Sequence, residues 1–580
     1  MVREPGAVTR AVALTVSVAL LAVLVLVPIA TILVRSFFPD GAFEWLGPLR
    51  VATEGSLVEV VGNSLLLGAL VVLTATLLAG PLAFLAARTE LGRHRWLDIV
   101  VLVPFMTPPY IASMGWILFM QPRGLLDQYL PFLGSIRPLF FSPAGIVLIM
   151  SLNLYPFLYL ILKNAFREIG GSLEDAAAVG GASPLYRFRR ITVPLVFSSY
   201  SMGALLVFVK TISEFGTPAT LGRRVGFYVL TTEIYRFTSN WPIDFESAAA
   251  LSSILLITSM IVWYLQSMLS ERYRYSVVGE SEGRARILAL GRWKAPAWAF
   301  VSLVLVLSIG VPYLSIIGTS LMKVRGYGFA PGNFTLEYFA TIFTAGSGAN
   351  EALLTSLRLA TTAAGFTLIL GTFFAIVVSR TRGVLSGITD VGSLISNTVP
   401  GVVVVVGLIM FWNSRWNPVP VYNTDWILVV TYTVLFLPYT VQYVKSSLSQ
   451  LGTSVFDAAR VSGGSPLYTL RRVLLPLVRS GMVAGATMTF IIGARELVGS
   501  LMIRPPGTET SATFIFRQFE QGEAQLGMAM ALVTIAVTLA VLFGVRLYDR
   551  ESAIGEIRGW KRPARSTGTS VKGRHDGNPG

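Results

Sequence analysis

Runs of about twenty apolar residues recur twelve times along this chain of 580 residues, and they restrict its fold more than any other feature. A helix needs roughly 20 apolar residues to cross the ~30 Å hydrocarbon core of a bilayer. The runs lie near residues 11–34, 63–87, 97–120, 144–162, 191–213, 247–269, 295–321, 352–378, 390–412, 426–444, 473–494 and 525–545. We therefore predict an all-α integral membrane protein with about 12 transmembrane helices.

The composition also indicates a lipid environment. Charged residues make up only 13% of the chain, about half of the quarter that soluble domains carry. Cysteine is absent, and the two histidines, His94 and His575, lie in basic stretches. These features exclude disulfides and cysteine-ligated metals, and they argue against a histidine metal cluster or a catalytic triad. We expect a lipid bilayer as partner, no metal site and no catalytic residue.

The net charge of +15 is spread over short loops, so it does not indicate nucleic-acid binding. Placing the N-terminus in the cytoplasm puts most Lys and Arg residues inside, as the positive-inside rule requires. An even number of spans then brings the C-terminus to the same side. We predict a multi-pass protein of the cytoplasmic (inner) cell membrane with an uncleaved first span and both termini cytoplasmic.

The chain is internally duplicated, and a polar motif between apolar runs shows this most clearly. The first copy contains Glu174, Asp175, Ala176, Ala177, Gly181, Ser183 and Pro184. The second copy, 282 residues later, contains Asp457, Ala458, Ala459, Gly463, Ser465 and Pro466. Other matches are Pro108 with Pro400, Pro156 with Pro438, Lys163 with Lys445 and Glu214 with Glu496. Parallel repeats predict two sister bundles related by an axis along the membrane normal, with a pathway between them.

The duplication predicts four segments. Residues 1–269 form the first six-helix half, with a core at about 59–267, and residues 270–294 form a polar cytoplasmic linker. Residues 295–550 form the homologous second half, with a core at about 352–546. Residues 551–580 are basic and rich in Gly and Ser, which predicts a disordered cytoplasmic tail.

Each copy of the motif predicts a short helix, a sharp turn and a second short helix. Alanine favours the first helix, and acids in its first turn suit the helix dipole. Gly181 can end that helix in the left-handed conformation. Ser183 and Pro184 can start the next helix as N-cap and first helical residue. Two copies with the same spacing, both predicted to face inside, favour a surface that binds a partner over a plain connector.

The motif resembles the E-A-A loop of binding-protein-dependent ABC importers, whose pattern is E-A-A, three residues, G, nine residues, I, one residue, L-P. The departures are Asp at 175 and 457, Val473 for Ile and Val193 for Leu, and the Gly and Pro positions are kept. The resemblance covers nearly the whole chain, because each half has the span layout of a type I permease. It implies the ABC importer type I permease fold and an ATPase-coupling role for the motif residues of both copies.

The resemblance also implies partners. The chain contains no Gly-Lys-Ser or Gly-Lys-Thr, so it lacks a Walker phosphate loop and is not itself the ATPase. A homodimeric ATP-binding cassette subunit would therefore supply ATP hydrolysis and hold ATP-Mg, while this chain binds no cofactor. An extracytoplasmic solute-binding protein would deliver the cargo. Fused double permeases of this length are most similar to ferric-iron importers, with thiamine, polyamine, phosphonate and sulfate or molybdate permeases as alternatives.

Charges at the outer ends of two matching spans form a candidate outer gate. A Lys or Arg at a span centre costs roughly 2.5–3.5 kcal/mol, so such residues are usually paired or functional. The candidates are Lys210, Glu214, Arg495 and Glu496. The simpler alternative is that Lys210 and Glu214, four residues apart, form a local ion pair that ends the span, and that Arg495, next to Glu496, does the same with different neighbours.

A second function class predicts the same span count and the same repeat. A secondary transporter with two six-span halves would use an ion gradient and would need carboxylates or histidines inside its spans. Few acids lie in mid-span, and this interpretation leaves the duplicated polar motif unexplained. The mid-span prolines at 104, 108, 109, 156, 400 and 438 can break helices that line a cavity, or they can only kink packed helices.

Overall fold

The computed structural model of this protein describes residues 7–38, 41–53, 55–169, 171–273, 287–414, 417, 419–451, 458–459 and 461–560. Ten helices within these ranges are long and apolar enough to cross a membrane. In the first half they are Ala11–Phe37, Leu57–Arg88, Pro143–Glu168, Pro184–Ser213 and Phe245–Leu269. In the second half they are Gly291–Leu321, Gly348–Arg380, Asp425–Ser449, Leu467–Gly493 and Ala524–Val545. The fold is all-α, as predicted.

The third span of each half is broken, where the sequence predicted one continuous crossing. Arg95–Met106 meets Pro109–Met120 at 91°, and Val384–Thr398 meets Gly401–Trp412 at 114°. At each break the residue before a proline has extended backbone, which prolines impose on the residue that precedes them. The total reaches twelve when each bent pair counts as one span. We call these elements the broken spans.

Proline alone does not break a helix here. Pro156 lies inside the continuous helix Pro143–Glu168, and Pro438 lies inside Asp425–Ser449. Both prolines are buried among neighbouring spans. A single interior proline removes one backbone donor, and packing against other helices can hold the helix together. The breaks therefore mark the third spans specifically.

The first span of each half packs against the broken span of the other half. At Gly407 of the second half, an added Cβ atom would lie 2.6 Å from the carbonyl oxygen of Pro28 in the first half. At Gly115 of the first half, it would lie 2.8 Å from the carbonyl oxygen of Pro312 in the second half. This reciprocal glycine contact brings backbones together, as in other membrane helix pairs. We call the boundary between the halves the seam.

Short amphipathic helices cover the end of each half opposite the polar motif. Leu230–Ser239 belongs to the first half and Ser511–Gln521 to the second. Each is anchored to the second span of its own half by a buried serine hydroxyl that accepts a backbone hydrogen bond. These bonds join Leu230 N to Ser64 Oγ at 2.8 Å and Ser511 N to Ser356 Oγ at 2.7 Å. The duplication therefore extends to the loops outside the spans.

Helical structure extends into the predicted linker and into the tail that was predicted to be disordered. The sixth span of the first half continues to Tyr273, and Leu288 N donates to the carbonyl oxygen of Arg88 at 2.7 Å. The last helix, Ala524–Trp560, continues ten residues into the predicted disordered tail. Its last part contains Ala, Glu and Arg residues that favour helix. Residues 274–286 and 561–580 lie outside the described part of the chain.

Candidate functional site

The two copies of the polar motif share one turn geometry. Gly181 has φ of +82° and Gly463 has φ of +76°, so both use the left-handed region that glycine tolerates. The backbone N–H after each of these glycines returns to the carbonyl five residues earlier, which closes the helix end. These bonds join Ala182 N to Ala177 O at 2.9 Å and Gly464 N to Ala459 O at 3.0 Å.

A second short helix starts directly after each turn. The helices are Pro184–Arg187 and Pro466–Thr469, each with proline as its first residue. The serine before each proline caps the helix by accepting a hydrogen bond from a backbone N–H three residues later. These bonds join Tyr186 N to Ser183 Oγ at 3.3 Å and Tyr468 N to Ser465 Oγ at 3.2 Å. The predicted helix–turn–helix geometry is therefore present in the described part of both copies.

The predicted motif residues lie on the first helix and the turn. Glu174 lies within the helix Gly171–Val179. The side chains of Asp175, Ala176 and Ala458 are exposed, while Ala177 and Ala459 are half-buried. Asp457 lies outside the described residues. The small alanine side chains leave the first helix open to close approach by a partner surface.

Large apolar side chains flank each turn, and the sequence analysis did not single them out. Val179 is 92% exposed and its counterpart Val461 is 87% exposed. The second helices add two exposed pairs, Leu185 with Leu467 and Tyr186 with Tyr468, each side chain more than half exposed. Exposed apolar groups clustered in this way are typical of protein-binding surfaces. We call each set of three side chains an apolar knob.

A widened helical turn connects each knob to the fifth span. Phe188–Thr192 and Leu470–Leu474 are both π-helical and occupy matching positions in the duplication. Each contains two consecutive arginines, Arg189-Arg190 in the first copy and Arg471-Arg472 in the second. π-helical turns often occur at functional sites. The knobs thus continue as helix into the fifth spans.

A matched pair of ion pairs ties each broken span to the fourth span near the motif. Lys163 forms an ion pair with Asp98, and Lys445 pairs with Asp390 at 2.5 Å. In the first half the Tyr159 hydroxyl also donates to Asp98 Oδ1 at 2.7 Å. The Lys163 side chain is 5% exposed and that of Lys445 is 30% exposed. Sequence matching paired the two lysines, but it did not reveal their partners on a different span.

The candidate gate residues of the first half do not form the local ion pair that was the simpler alternative. The Glu214 carboxylate accepts hydrogen bonds from Gly216 N at 2.5 Å and Thr217 N at 3.0 Å. Among the described residues, no carboxylate lies within ion-pair distance of Lys210, which is half-buried. Glu214 therefore closes the turn after its span and leaves the lysine without its expected partner.

The gate candidates of the second half also point in different directions. The Glu496 carboxylate accepts from Ser500 N at 3.1 Å. The guanidinium of Arg495 crosses the seam and donates to the carbonyl oxygen of Met106, the last helical residue before the break in the first half. Of the four candidates, Arg495 is the one whose described hydrogen bonds join the two halves.

A family model for the binding-protein-dependent transport system inner membrane component matches this chain twice, at residues 79–275 and 367–552. The two matches together cover more than half of the chain and fall one on each half. The chain belongs to this family. It is therefore an inner membrane permease component of a binding-protein-dependent transport system.

Named relatives of this permease are similar along most of its length. A ferric transport system permease protein from Actinobacillus pleuropneumoniae is 24% identical over 89% of this chain and 74% of its own length. A putative ferric transport system permease protein from Haemophilus influenzae is 26% identical over 80% of this chain and 73% of its own. A putative 2-aminoethylphosphonate transport system permease protein from Salmonella typhi is 27% identical over 43% of this chain and 93% of its own. This permease is thus a fused double permease most like the ferric permeases.

Within the described ranges, the permease brings together no group of three or more His, Asp or Glu side chains that could hold a metal ion. Cysteine is absent from the whole sequence. Each half instead contains one matched set, made of the motif residues, an apolar knob and a lysine–aspartate ion pair. This matched arrangement is suited to transmitting force between the motif and the spans.

Proposed function

We propose that this permease is the transmembrane subunit of an ATP-driven ABC importer, and that its two apolar knobs dock on a separate ATPase. The matched geometry of the two motif copies supports this proposal most strongly. A homodimeric ATPase offers two equivalent clefts, and the duplicated chain offers two equivalent knobs. The ATPase subunits would hold ATP-Mg, and this chain would bind no cofactor.

The docking surface we propose consists of both motif copies, including the residues outside the described ranges. Asp175, Ala176, Ala177 and Gly181 of the first copy, and Asp457, Ala458, Ala459 and Gly463 of the second, would form the contact with the ATPase. The capping Ser183 and Ser465 would hold the angle between the two helices. When the ATPase dimer closes on ATP, it would draw the two knobs together. This movement would switch the pathway between its outward-facing and inward-facing states. Lys210, Glu214, Arg495 and Glu496 would lie near the outer gate.

This assignment places the knobs and both termini in the cytoplasm. It also retains the four segments predicted from the sequence, with the linker at 270–294 on the inner side. The solute would arrive on an extracytoplasmic binding protein at the opposite face. For the cargo we propose ferric iron, because the relatives named as ferric permeases cover most of the chain. A phosphonate is the second candidate, because a relative named as a 2-aminoethylphosphonate permease is similar to 43% of this chain.

The test substitutes aspartate for Gly181 and Gly463 together. Aspartate strains the left-handed turn and places a charge between the apolar side chains of each knob. We expect the variant to insert normally while uptake and co-purification of the ATPase fall at least tenfold. Gly346→Asp is the control, since Gly346 has φ of +79° in open space away from the motif. Undiminished uptake by the double variant would refute the docking assignment.

The same assay separates the importer from a gradient-driven secondary transporter. Vesicles that contain this chain, the ATPase and the binding protein should take up solute only when ATP is supplied on the ATPase side. A secondary transporter would take up solute on an ion gradient alone and would be indifferent to the Gly181 and Gly463 substitutions.

A further inference from the structure

Four arginines gather at the outer end of the seam, and we call them the outer arginine cluster: Arg223, Arg224, Arg325 and Arg504. Arg223 and Arg224 belong to the first half and approach the outer helix of the second. Arg223 Nη1 lies 4.0 Å from Glu520 Oε2, and the Arg224 guanidinium lies 5.0 Å from the ring centroid of Phe519. These contacts place the cluster across the boundary between the halves.

The second half completes the outer arginine cluster. Arg325 is half-buried, and burial together with repulsion from the Arg224 guanidinium lowers the pKa of Arg325. Arg504 donates to the Thr508 carbonyl oxygen at 3.1 Å, and it shares the surroundings of the Tyr235 hydroxyl with Arg223. Neighbouring guanidinium groups attract an anion from solution.

The carboxylates around the outer arginine cluster are already engaged. Glu233 pairs with Arg236 at 2.6 Å, and Glu509 pairs with Arg517 through two bonds of 2.7 and 2.9 Å. In the part of the chain that the structure describes, no carboxylate lies within ion-pair distance of Arg224, Arg325 or Arg504. Apart from the contact between Arg223 and Glu520, the guanidinium groups of the outer arginine cluster therefore have no ion-pair partner among the described residues.

The same charge pattern continues inward along the seam. Arg495 donates to a backbone carbonyl, while the nearby carboxylates of Glu496 and Glu214 accept from backbone N–H groups of their own loops. Three tyrosines, Tyr110, Tyr313 and Tyr439, lie within electrostatic range of the Arg495 guanidinium. A solute moving between the halves would meet guanidinium and hydroxyl groups in sequence.

We infer that the solute crosses this permease as an anion, either as a free oxyanion of the phosphate or phosphonate kind or as a metal ion inside a complex of net negative charge. Guanidinium groups bind phosphate and carboxylate oxygens with charge-assisted, often bidentate hydrogen bonds. A bare multivalent cation would be repelled at the outer arginine cluster and again at Arg495. This inference rests on the proposed importer function and specifies the chemical class of its cargo.

The experiment measures the sign of the charge that enters with the cargo. The full transporter, with its ATPase and binding protein, is reconstituted in vesicles with ATP on the ATPase side, and uptake and membrane potential are followed together. The probes are iron(III) alone, iron(III) with excess citrate, and 2-aminoethylphosphonate. We expect ATP-dependent entry of negative charge, with iron(III) alone at least tenfold slower than whichever anionic probe is transported. The two anionic probes separate a metal complex from a free oxyanion.

Variants test the residues. Arg495→Gln should lower anion uptake at least tenfold, Arg495→Lys should recover most of it, and Arg50→Gln on the outer surface should match the wild type. Arg224→Gln with Arg325→Gln should weaken the preference for anionic probes. If the Arg224 and Arg325 variant instead changes only the binding-protein concentration that gives half-maximal ATPase activity, that result would assign the outer arginine cluster to protein docking. It would also overturn the role of the cluster in cargo selection.

Two failures remain distinguishable. ATP-dependent entry of positive charge with iron(III) alone, unaffected by Arg495→Gln, would overturn the anionic cargo and leave the importer intact. An ATPase that neither co-purifies with the permease nor is stimulated by it would overturn the importer function, and this inference with it.

Discussion

At the scale of single residues, matched positions in the two halves differ in burial, and this difference predicts different energetics. Lys163 and Lys445 occupy equivalent sites and both pair with an aspartate of the broken span. Lys163 is nearly buried, and its aspartate also accepts from Tyr159, whereas Lys445 is about a third exposed. Removing one partner of a buried pair leaves a charge without compensation, while solvent screens a partly exposed one.

We therefore expect Asp98→Ala, which leaves the nearly buried Lys163 without its partner, to destabilise the protein by about 3 kcal/mol. Asp390→Ala leaves the partly exposed Lys445 and should cost about 1 kcal/mol or less. Thermal unfolding of the purified protein in detergent, followed by intrinsic fluorescence, measures the difference. The exchange of Asp98 and Lys163 should recover part of the loss. Equal melting temperatures for the two aspartate variants would show that burial does not distinguish these pairs.

The apolar knobs yield a second prediction at this scale. Val179→Glu with Val461→Glu places a charge at the most exposed apolar position of each knob. A residue at the centre of an interface typically contributes about 2 kcal/mol, so each knob should lose roughly 30-fold in affinity for the ATPase. Pull-down of the ATPase with the purified variant measures this loss. Val324→Glu, on an exposed loop at the end opposite the motif, should bind the ATPase as the wild type does. Retention of the ATPase by the double variant would remove the knobs from the interface.

At the scale of helices, the sequence predicted where the spans lie but not how the third spans bend. Pro108 and Pro400 stand at breaks, while Pro156 and Pro438 lie in continuous helices, and all four were equivalent as mid-span prolines. The difference arises from packing with neighbouring helices, which a local pattern does not encode. The sequence did reveal the turn glycines of the motif, because the left-handed backbone that they adopt is a local requirement. It missed the Asp98–Lys163 pair and the contact of Arg495 with Met106, which join different spans.

The close helix contacts predict opposite effects for the same substitution. Glycine to alanine in a helix gains up to about 1 kcal/mol when space is available. Gly365 lies mid-helix with nothing within 4 Å of an added Cβ, whereas at Gly407 that atom would meet the Pro28 backbone. Gly365→Ala should raise the melting temperature, and Gly407→Ala should lower it because the two helices must move apart. A stabilising Gly407→Ala would contradict the reciprocal packing at the seam.

At the scale of the whole molecule, the halves are joined by more than the linker. The first span of each half lies against the broken span of the other, and Ser17 Oγ of the first half lies 3.2 Å from Thr389 Oγ1 of the second. Thr107 Oγ1 and the Tyr313 hydroxyl make the reciprocal contact at 2.8 Å. Such an exchange ties the two bundles together through contacts on both sides of the seam.

This exchange predicts that the protein survives cleavage between its halves. A protease site inserted within residues 274–286 should yield two fragments that co-purify in mild detergent and retain transport, because the exchanged first spans hold them together. Gly115→Leu with Gly407→Leu forces a large side chain into both backbone contacts and should release the fragments after cleavage. Gly365→Leu, at a site with open space, is the matched control and should not. Separation of the unsubstituted fragments would show that the linker, and not the exchange of first spans, holds the halves together.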